Sequence, residues 1–139
     1  MGKIIYDDSL EDIDLFISTG FEDVALSYLT EKNINGELGY HYGVIRNYKV
    51  EKSQLGRSIE LDGLANGLYK AKNRLLVVEC KYRNKALSLA VLEHVMESVS
   101  IFPAEHYDVY LFSKSGFAND ILALDNPNVH LISMEDMVS

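Results

Sequence analysis

Two acids and a lysine sit where strand geometry brings them together. In Leu75-Leu76-Val77-Val78-Glu79-Cys80-Lys81-Tyr82, Glu79 and Lys81 are two residues apart in an extended apolar run, so they share one face while Cys80 points to the other. Asp62, in Arg57-Ser58-Ile59-Glu60-Leu61-Asp62-Gly63-Leu64, lies on the preceding strand. An antiparallel hairpin turning near Asn66-Gly67 and Asn73 returns Glu79 to the neighbourhood of Asp62. Ionisable groups in so apolar a run are paired, metal-bound or placed at a strand end. A Glu79/Lys81 or Asp62/Lys81 ion pair at a sheet rim accounts for them as well as a catalytic centre does, because a bare E-x-K carries little information. The context adds to it: an acid upstream on a strand, an apolar strand into Glu79 and a helix leading away.

These residues resemble the signature of the PD-(D/E)XK, or restriction-endonuclease-like, nuclease superfamily, with Asp62 as the first acid and Glu79-Cys80-Lys81 as the (D/E)-x-K. Leu61 stands where the superfamily's name places proline. Glu22, in Gly20-Phe21-Glu22-Asp23, resembles the acid that many members carry on the helix before the hairpin. Within the superfamily the chain is most similar to the nuclease-like domain at the C-terminus of prokaryotic P-loop ATPases, through Arg57 to Asp62, Glu79 to Tyr82 and Phe112-Ser113-Lys114-Ser115-Gly116-Phe117. The resemblance implies a restriction-endonuclease-like αβββαβ core. It further implies Mg²⁺ (or Mn²⁺) held by Asp62, Glu79 and Glu22, with a backbone carbonyl of Val78 or Cys80 as a further ligand. Lys81 would act on the attacking water, DNA would be the substrate, and Arg57, Arg83, Lys85 and Lys114 would lie along its phosphates. The alternative is a nuclease-fold DNA-binding or regulatory module without turnover, acting with an ATPase partner.

Around this stretch, the pattern predicts a helix from Phe21 to Lys32, with Phe21, Val24, Ala25, Tyr28 and Leu29 at helical spacing. Strands follow at Tyr40 to Val50, Arg57 to Leu64 and Leu75 to Lys81. A helix from Ala86 to Ile101 presents Leu87, Ala90, Val91, His94, Val95 and Ser98 on its apolar face, with Glu93 and Glu97 opposite and Pro103 beyond its end. Next come a strand from Tyr107 to Phe112, a helix from Phe117 to Leu124 and a strand from Asn128 to Ser133. Residues 3 to 19 give weak signals, with Ile13, Leu15, Phe16 and Ile17 as packing candidates. A meander followed by a crossover specifies an α/β fold with a mixed central sheet flanked by helices, and residues 1 to 139 are expected to form a single domain.

The net charge of −8 argues against a general nucleic-acid glue, but it is unevenly spread. Residues 1 to 40 carry two basic and nine acidic side chains, residues 41 to 90 ten and four, and residues 91 to 139 one and eight. The positive excess coincides with Asp62, Glu79 and Lys81, as expected of a phosphate-approaching surface on an acidic body. Cys80 is the only cysteine; it excludes an intrachain disulfide and reads as a small core residue. There is no secretory h-region and no apolar run near membrane-spanning length, so the chain is expected to be cytoplasmic. Lys114-Ser115-Gly116 lacks the earlier glycines of a phosphate loop, and Gly116 is expected to make a strand-to-helix turn. His41, His94, His106 and His130 show no metal spacing. Tyr40, Tyr42, Tyr48, Tyr107 and Tyr110 are assigned to a core or a homodimer face.

Overall fold

In the computed structural model, the backbone is described from residue 10 to residue 138 and side chains from residue 17. The packing expected of Ile13, Leu15 and Phe16 lies outside the described side chains, and Ile17 is exposed. The first helix, α1, is Leu10–Ile34, about a dozen residues longer at its start than the helix expected from Phe21. Phe21, Ala25 and Leu29 form its buried stripe. In its last turn, the Asn33 side chain donates to the Tyr42 carbonyl (2.8 Å) and accepts from the Tyr42 N–H (3.1 Å).

That clamp explains why the predicted strand at Tyr40 is shorter than expected. Asn33 has taken both Tyr42 backbone groups, and Tyr42 makes only an isolated bridge to Gly67. The first strand, β1, is therefore Arg46–Val50. It is followed by β2 (Ile59–Asn66), a 3₁₀ turn at Tyr69–Ala71, β3 (Arg74–Lys81), α2 (Leu89–Val99), β4 (His106–Ser113), α3 (Asn119–Leu122), β5 (Val129–Ser133) and a short α4 (Met134–Val138). The five strands form one sheet in the order β1-β2-β3-β4-β5. β1, β2 and β3 are antiparallel neighbours, while β3, β4 and β5 are parallel, joined by the crossovers through α2 and α3. The protein is thus a mixed-sheet α/β fold with helices on both faces, as expected. No helix among the described residues is long and apolar enough to cross a membrane.

Period-two alternation divides the core. On one face Leu76, Val78 and Cys80 of β3 with Tyr110 and Phe112 of β4 pack against Phe21, Ala25 and Leu29 of α1. On the other, Leu75, Val77, Val109 and Leu111 pack against Leu92, Val95 and Val99 of α2 and Ile121 of α3. The buried face of α2 differs from the one expected. Leu92 and Val99 are buried, whereas Ala90 and His94 are exposed, because Leu87 precedes the helix and is held in a bridge to Phe117.

The two faces change over within β2. Gly63 and Ala65 pair with Val78 and Leu76 on the α1 face, yet Ile59 and Leu61 belong to the α2 core. Against β1 the register moves from Arg46↔Leu64 to Tyr48↔Leu61, so β2 carries one extra residue between Leu61 and Leu64. This bulge reverses the side-chain parity at Asp62 and Gly63. A Cβ on Gly63 would lie 2.9 Å from Leu26 Cδ2 and from both Cβ and Cγ2 of Val78, so only glycine lets α1 come this near the sheet. Gly63→Ala is accordingly expected to lower the free energy of unfolding by about 1–3 kcal/mol, read by urea denaturation.

Candidate active site

The bulge places the Asp62 carboxylate in the gap where β2 leaves β3. Backbone pairing of the two strands ends at Gly63↔Val78. One step beyond, the Cys80 N–H donates to Asp62 Oδ2 at 2.7 Å, a side chain taking the place of a ladder carbonyl. Glu79 and Lys81 project to the α2 face, and Lys81 Nζ is 2.9 Å from Glu79 Oε2. Cys80 points into the α1 core, as alternation requires. Glu22, one residue past the buried Phe21 on α1, reaches the same place and hydrogen-bonds with Asp62. All four residues line a cleft of about 370 Å³.

Charge in this cleft is tightly balanced. Burial is the main influence that pushes the Glu79 carboxyl up to about 7, and repulsion from Asp62 adds to it, together outweighing the attraction of Lys81. Glu22 is likewise pushed up to about 7, first by burial and then by its hydrogen bond to and repulsion from Asp62, with Glu60 and Glu79 adding to it. Glu22 and Glu79 are thus both pushed toward the protonated form beside Asp62, a concentration of negative charge that a cation would relieve as protons do. Burial, then the same three acids led by Asp62, pushes the Cys80 thiol far above its ordinary range, so it is no nucleophile.

Among the described residues, no group of three or more His, Cys, Asp or Glu side chains is placed to hold a metal ion. A Mg²⁺ ion needs no such cage: it is commonly held by one or two carboxylates, with waters and substrate phosphate oxygens completing its shell. Asp62 and Glu79 fit that description through their oxygen donors and excess negative charge, and Glu22 stands beside them as the expected third acid.

The other side of the cleft comes from α2. His94, Val95 and Ser98 line it together with Arg57 and Ser58. Arg57, expected to lie free along DNA, is instead held in the cleft wall: its Nη2 donates to Glu97 Oε1 (2.8 Å) and Ser98 Oγ (3.2 Å), and its Nη1 to the Ser58 carbonyl (3.2 Å). Its guanidinium is thereby oriented and ion-paired with Glu97, a solvent-exposed partner. Arg83 and Lys85 are exposed on the loop after β3 and line a small recess of about 40 Å³ that begins at Lys81. Lys114 lies over the Tyr82 ring (4.5 Å) and donates to Asn84 Oδ1 (2.8 Å). Gly116, at φ +79°, makes the expected turn, and the Ser115 hydroxyl ties that turn to the Arg83 carbonyl. The sequence reading missed the α2 wall. Its signal was the arrangement of His94 and Ser98 one turn apart, which reading both residues as apolar-face positions obscured.

A five-stranded mixed α/β sheet with a carboxylate-lysine cleft at the C-terminal end of its central strand defines the class. The chain belongs to the DUF234 family, described as archaea bacterial proteins of unknown function, whose model matches residues 1–99. Among solved structures it is similar to the crystal structure of protein of unknown function AF1548, at 12% identity and a TM-score of 0.46; the match covers 82% of this chain and 64% of that one. No curated protein matches it.

Proposed function

We propose that this protein is a metal-dependent phosphodiester hydrolase acting on DNA, of the PD-(D/E)XK type. The observation that carries the reading is the meeting of Asp62, Glu79 and Lys81, joined by Glu22, in one cleft through a β2 bulge that re-aims Asp62. Bulges recur beside active sites for this purpose. Asp62 and Glu79, with Glu22, would hold Mg²⁺ or Mn²⁺, which when bound polarises a phosphoryl group and activates water. Glu79 fixes the Lys81 ammonium at 2.9 Å, so that it can orient the attacking water and offset charge developing on the phosphoryl oxygens. Arg57 faces the carboxylates from the α2 wall, and Arg83, Lys85 and Lys114 extend the basic surface away from Lys81 to receive flanking phosphates.

A second reading, a nuclease-fold DNA-binding or regulatory module acting with an ATPase partner, is favoured by one feature: the Glu79–Lys81 pair is complete without a metal. The experiment that separates the two incubates plasmid and linear duplex DNA with the protein in Mg²⁺, Mn²⁺ or EDTA. Cleavage that needs metal and disappears in Asp62→Asn supports the hydrolase; binding without any cleavage supports the module. In either case Arg83→Ala and Lys85→Ala are expected to weaken DNA binding equally across sequences, each lowering the slope of log K against log salt by about one. An affinity indifferent to salt would count against nucleic acid altogether.

A further inference from the structure

The hairpin joining β2 to β3 stands at the far end of the sheet from the cleft, since Arg74 and Lys81 bound β3 and lie roughly 23 Å apart at about 3.3 Å per residue. There Gly39, Tyr40 and His41 face Leu68 to Ala71 across a cavity of about 500 Å³, within the size range of small-ligand pockets. Its walls are apolar and uncovered: Tyr69 is 74% exposed, Tyr40 44% and Leu68 40%. Tyr40 thus belongs to neither the core nor a strand.

Tyr69 is at φ +57°, the left-handed region that a β-carbon disfavours, in a turn where glycine or asparagine would relieve the strain. Strain of this kind persists at ligand clamps. The turn is also rigid. A Cβ on Gly67 would lie 1.8 Å from the Ala71 carbonyl oxygen, the Leu68 N–H donates to the His41 carbonyl (2.8 Å), and the Ala71 N–H donates to the Leu68 carbonyl (2.9 Å). The rings are fixed as well: Tyr69 meets His41 edge to face at 5.9 Å, and Tyr40 lies on the Arg74 guanidinium at 3.9 Å, itself bound to Asp108. Lys70 lines the cavity, and the exposed Lys72 follows on the same turn.

Preset aromatic rings with Lys70 in the cavity lining and Lys72 exposed two residues on suit a flat π-system that carries a negative charge. We propose that this cavity binds a nucleotide, its base against Tyr69, Tyr40 and His41 and its phosphate on Lys70 and Lys72. Stacking on tyrosine accepts any base, and the lysines supply the charge complement. The site needs neither the cleft nor a metal, so it stands or falls separately from the hydrolase reading.

The test titrates the ¹⁵N-labelled full chain, in EDTA, with dTMP, a short oligodeoxythymidylate and a DNA duplex. Saturable shifts at residues 39–41 and 68–71 are expected. If both dTMP and the oligomer produce them, the unit recognised is the nucleotide itself; if only the oligomer does, its source is a strand, and if only dTMP does, a free nucleotide. Tyr69→Gly relieves the left-handed strain, so it should melt higher than wild type while losing roughly tenfold or more in affinity, which excludes unfolding as the cause. Lys70→Ala should weaken binding and reduce its salt dependence. The proposal is overturned if dTMP and the oligomer both leave these residues unshifted, as a face that docks another protein would, or if only the duplex shifts them, or if Tyr69→Gly binds as tightly as wild type.

Discussion

Glu79→Gln is expected to cost Mg²⁺-dependent cleavage a factor of about 10² to 10³ while leaving the fold intact. Glutamine keeps the size of the side chain and an oxygen that can accept from Lys81, but it removes one negative charge next to Asp62. Burial and Asp62 already push the Glu79 carboxyl up to about 7 against the pull of Lys81, so the burial cost and repulsion removed with the charge together exceed the attraction lost. The metal-free variant should therefore melt at or above the wild-type temperature. Metal bound only by the folded state raises the wild-type midpoint, and that rise should vanish in the variant. The pH dependence follows from the same shift. Because the folded value lies above the ordinary 4.5, the stabilisation from protonated Glu79 is complete below about 4.5 and is lost as pH rises through about 7. Glu22 acts in the same direction, attenuated by its greater exposure. Added Mg²⁺ should consequently stabilise the protein most above pH 7, where no proton has to leave. Were Glu79 merely the partner of Lys81, the variant would lose about 1–3 kcal/mol and the wild type would ignore Mg²⁺. That pair of results would move the assignment to the module without turnover.

Much of this cleft was legible because alternation along β3 is strict. Glu79 and Lys81 on one face and Cys80 on the other follow from period two alone, and the turn near Gly67 returns β3 beside Asp62. The position of Asp62 itself was less determined. Regular alternation with Leu61 would have placed it opposite the α2 core, whereas the bulge turns its carboxylate to the Cys80 N–H. The trace of that bulge is the spacing Ile59, Leu61, Leu64, which breaks period two by one residue. Glu22 was legible only through resemblance, since an acid beside a helix's apolar stripe is ordinarily a solvated one. The early part of α1 was missed although Leu10, Ile13, Ile17 and Phe21 recur at helical spacing, because the acidic residues Glu11, Asp12 and Asp14 among them obscured the period. Tyr40 to Ile45 reads as strand by composition, but Asn33 and the β2–β3 turn satisfy its backbone instead. Pairings across long sequence separations, such as Arg57 with Glu97, leave no local pattern.

The Arg74–Asp108 pair is another such long-range contact, and Asp108→Ala should be the most destabilising single change outside the cleft. Arg74 Nε and Nη2 donate to the two Asp108 oxygens at 2.8 and 2.9 Å, with both side chains less than a tenth exposed. The Tyr42 hydroxyl also donates to Asp108, so one carboxylate joins β3, β4 and the segment clamped by Asn33. Burial on its own would raise the Asp108 carboxyl, yet the hydrogen bonds from Arg74 and Tyr42 and the Arg74 charge hold it below its ordinary range. Its contribution is therefore present above about 3.8 and lost as pH falls through the lowered value. Alanine at this position strands a buried guanidinium and a buried hydroxyl, at a cost of about 3–5 kcal/mol, a large part of the roughly 5–15 kcal/mol that holds a domain together. Replacing both partners, as in Arg74→Met with Asp108→Leu, leaves no buried charge and should recover much of that loss. Urea denaturation of the single and double variants at neutral pH measures both effects. A loss below about 1 kcal/mol in Asp108→Ala would mean that water reaches Arg74, and the pair would then be no more than a surface contact. Because the pair and the cleft occupy opposite ends of β3, the Mg²⁺ response should survive in the double variant, and its loss there would show that the two ends of the sheet are coupled.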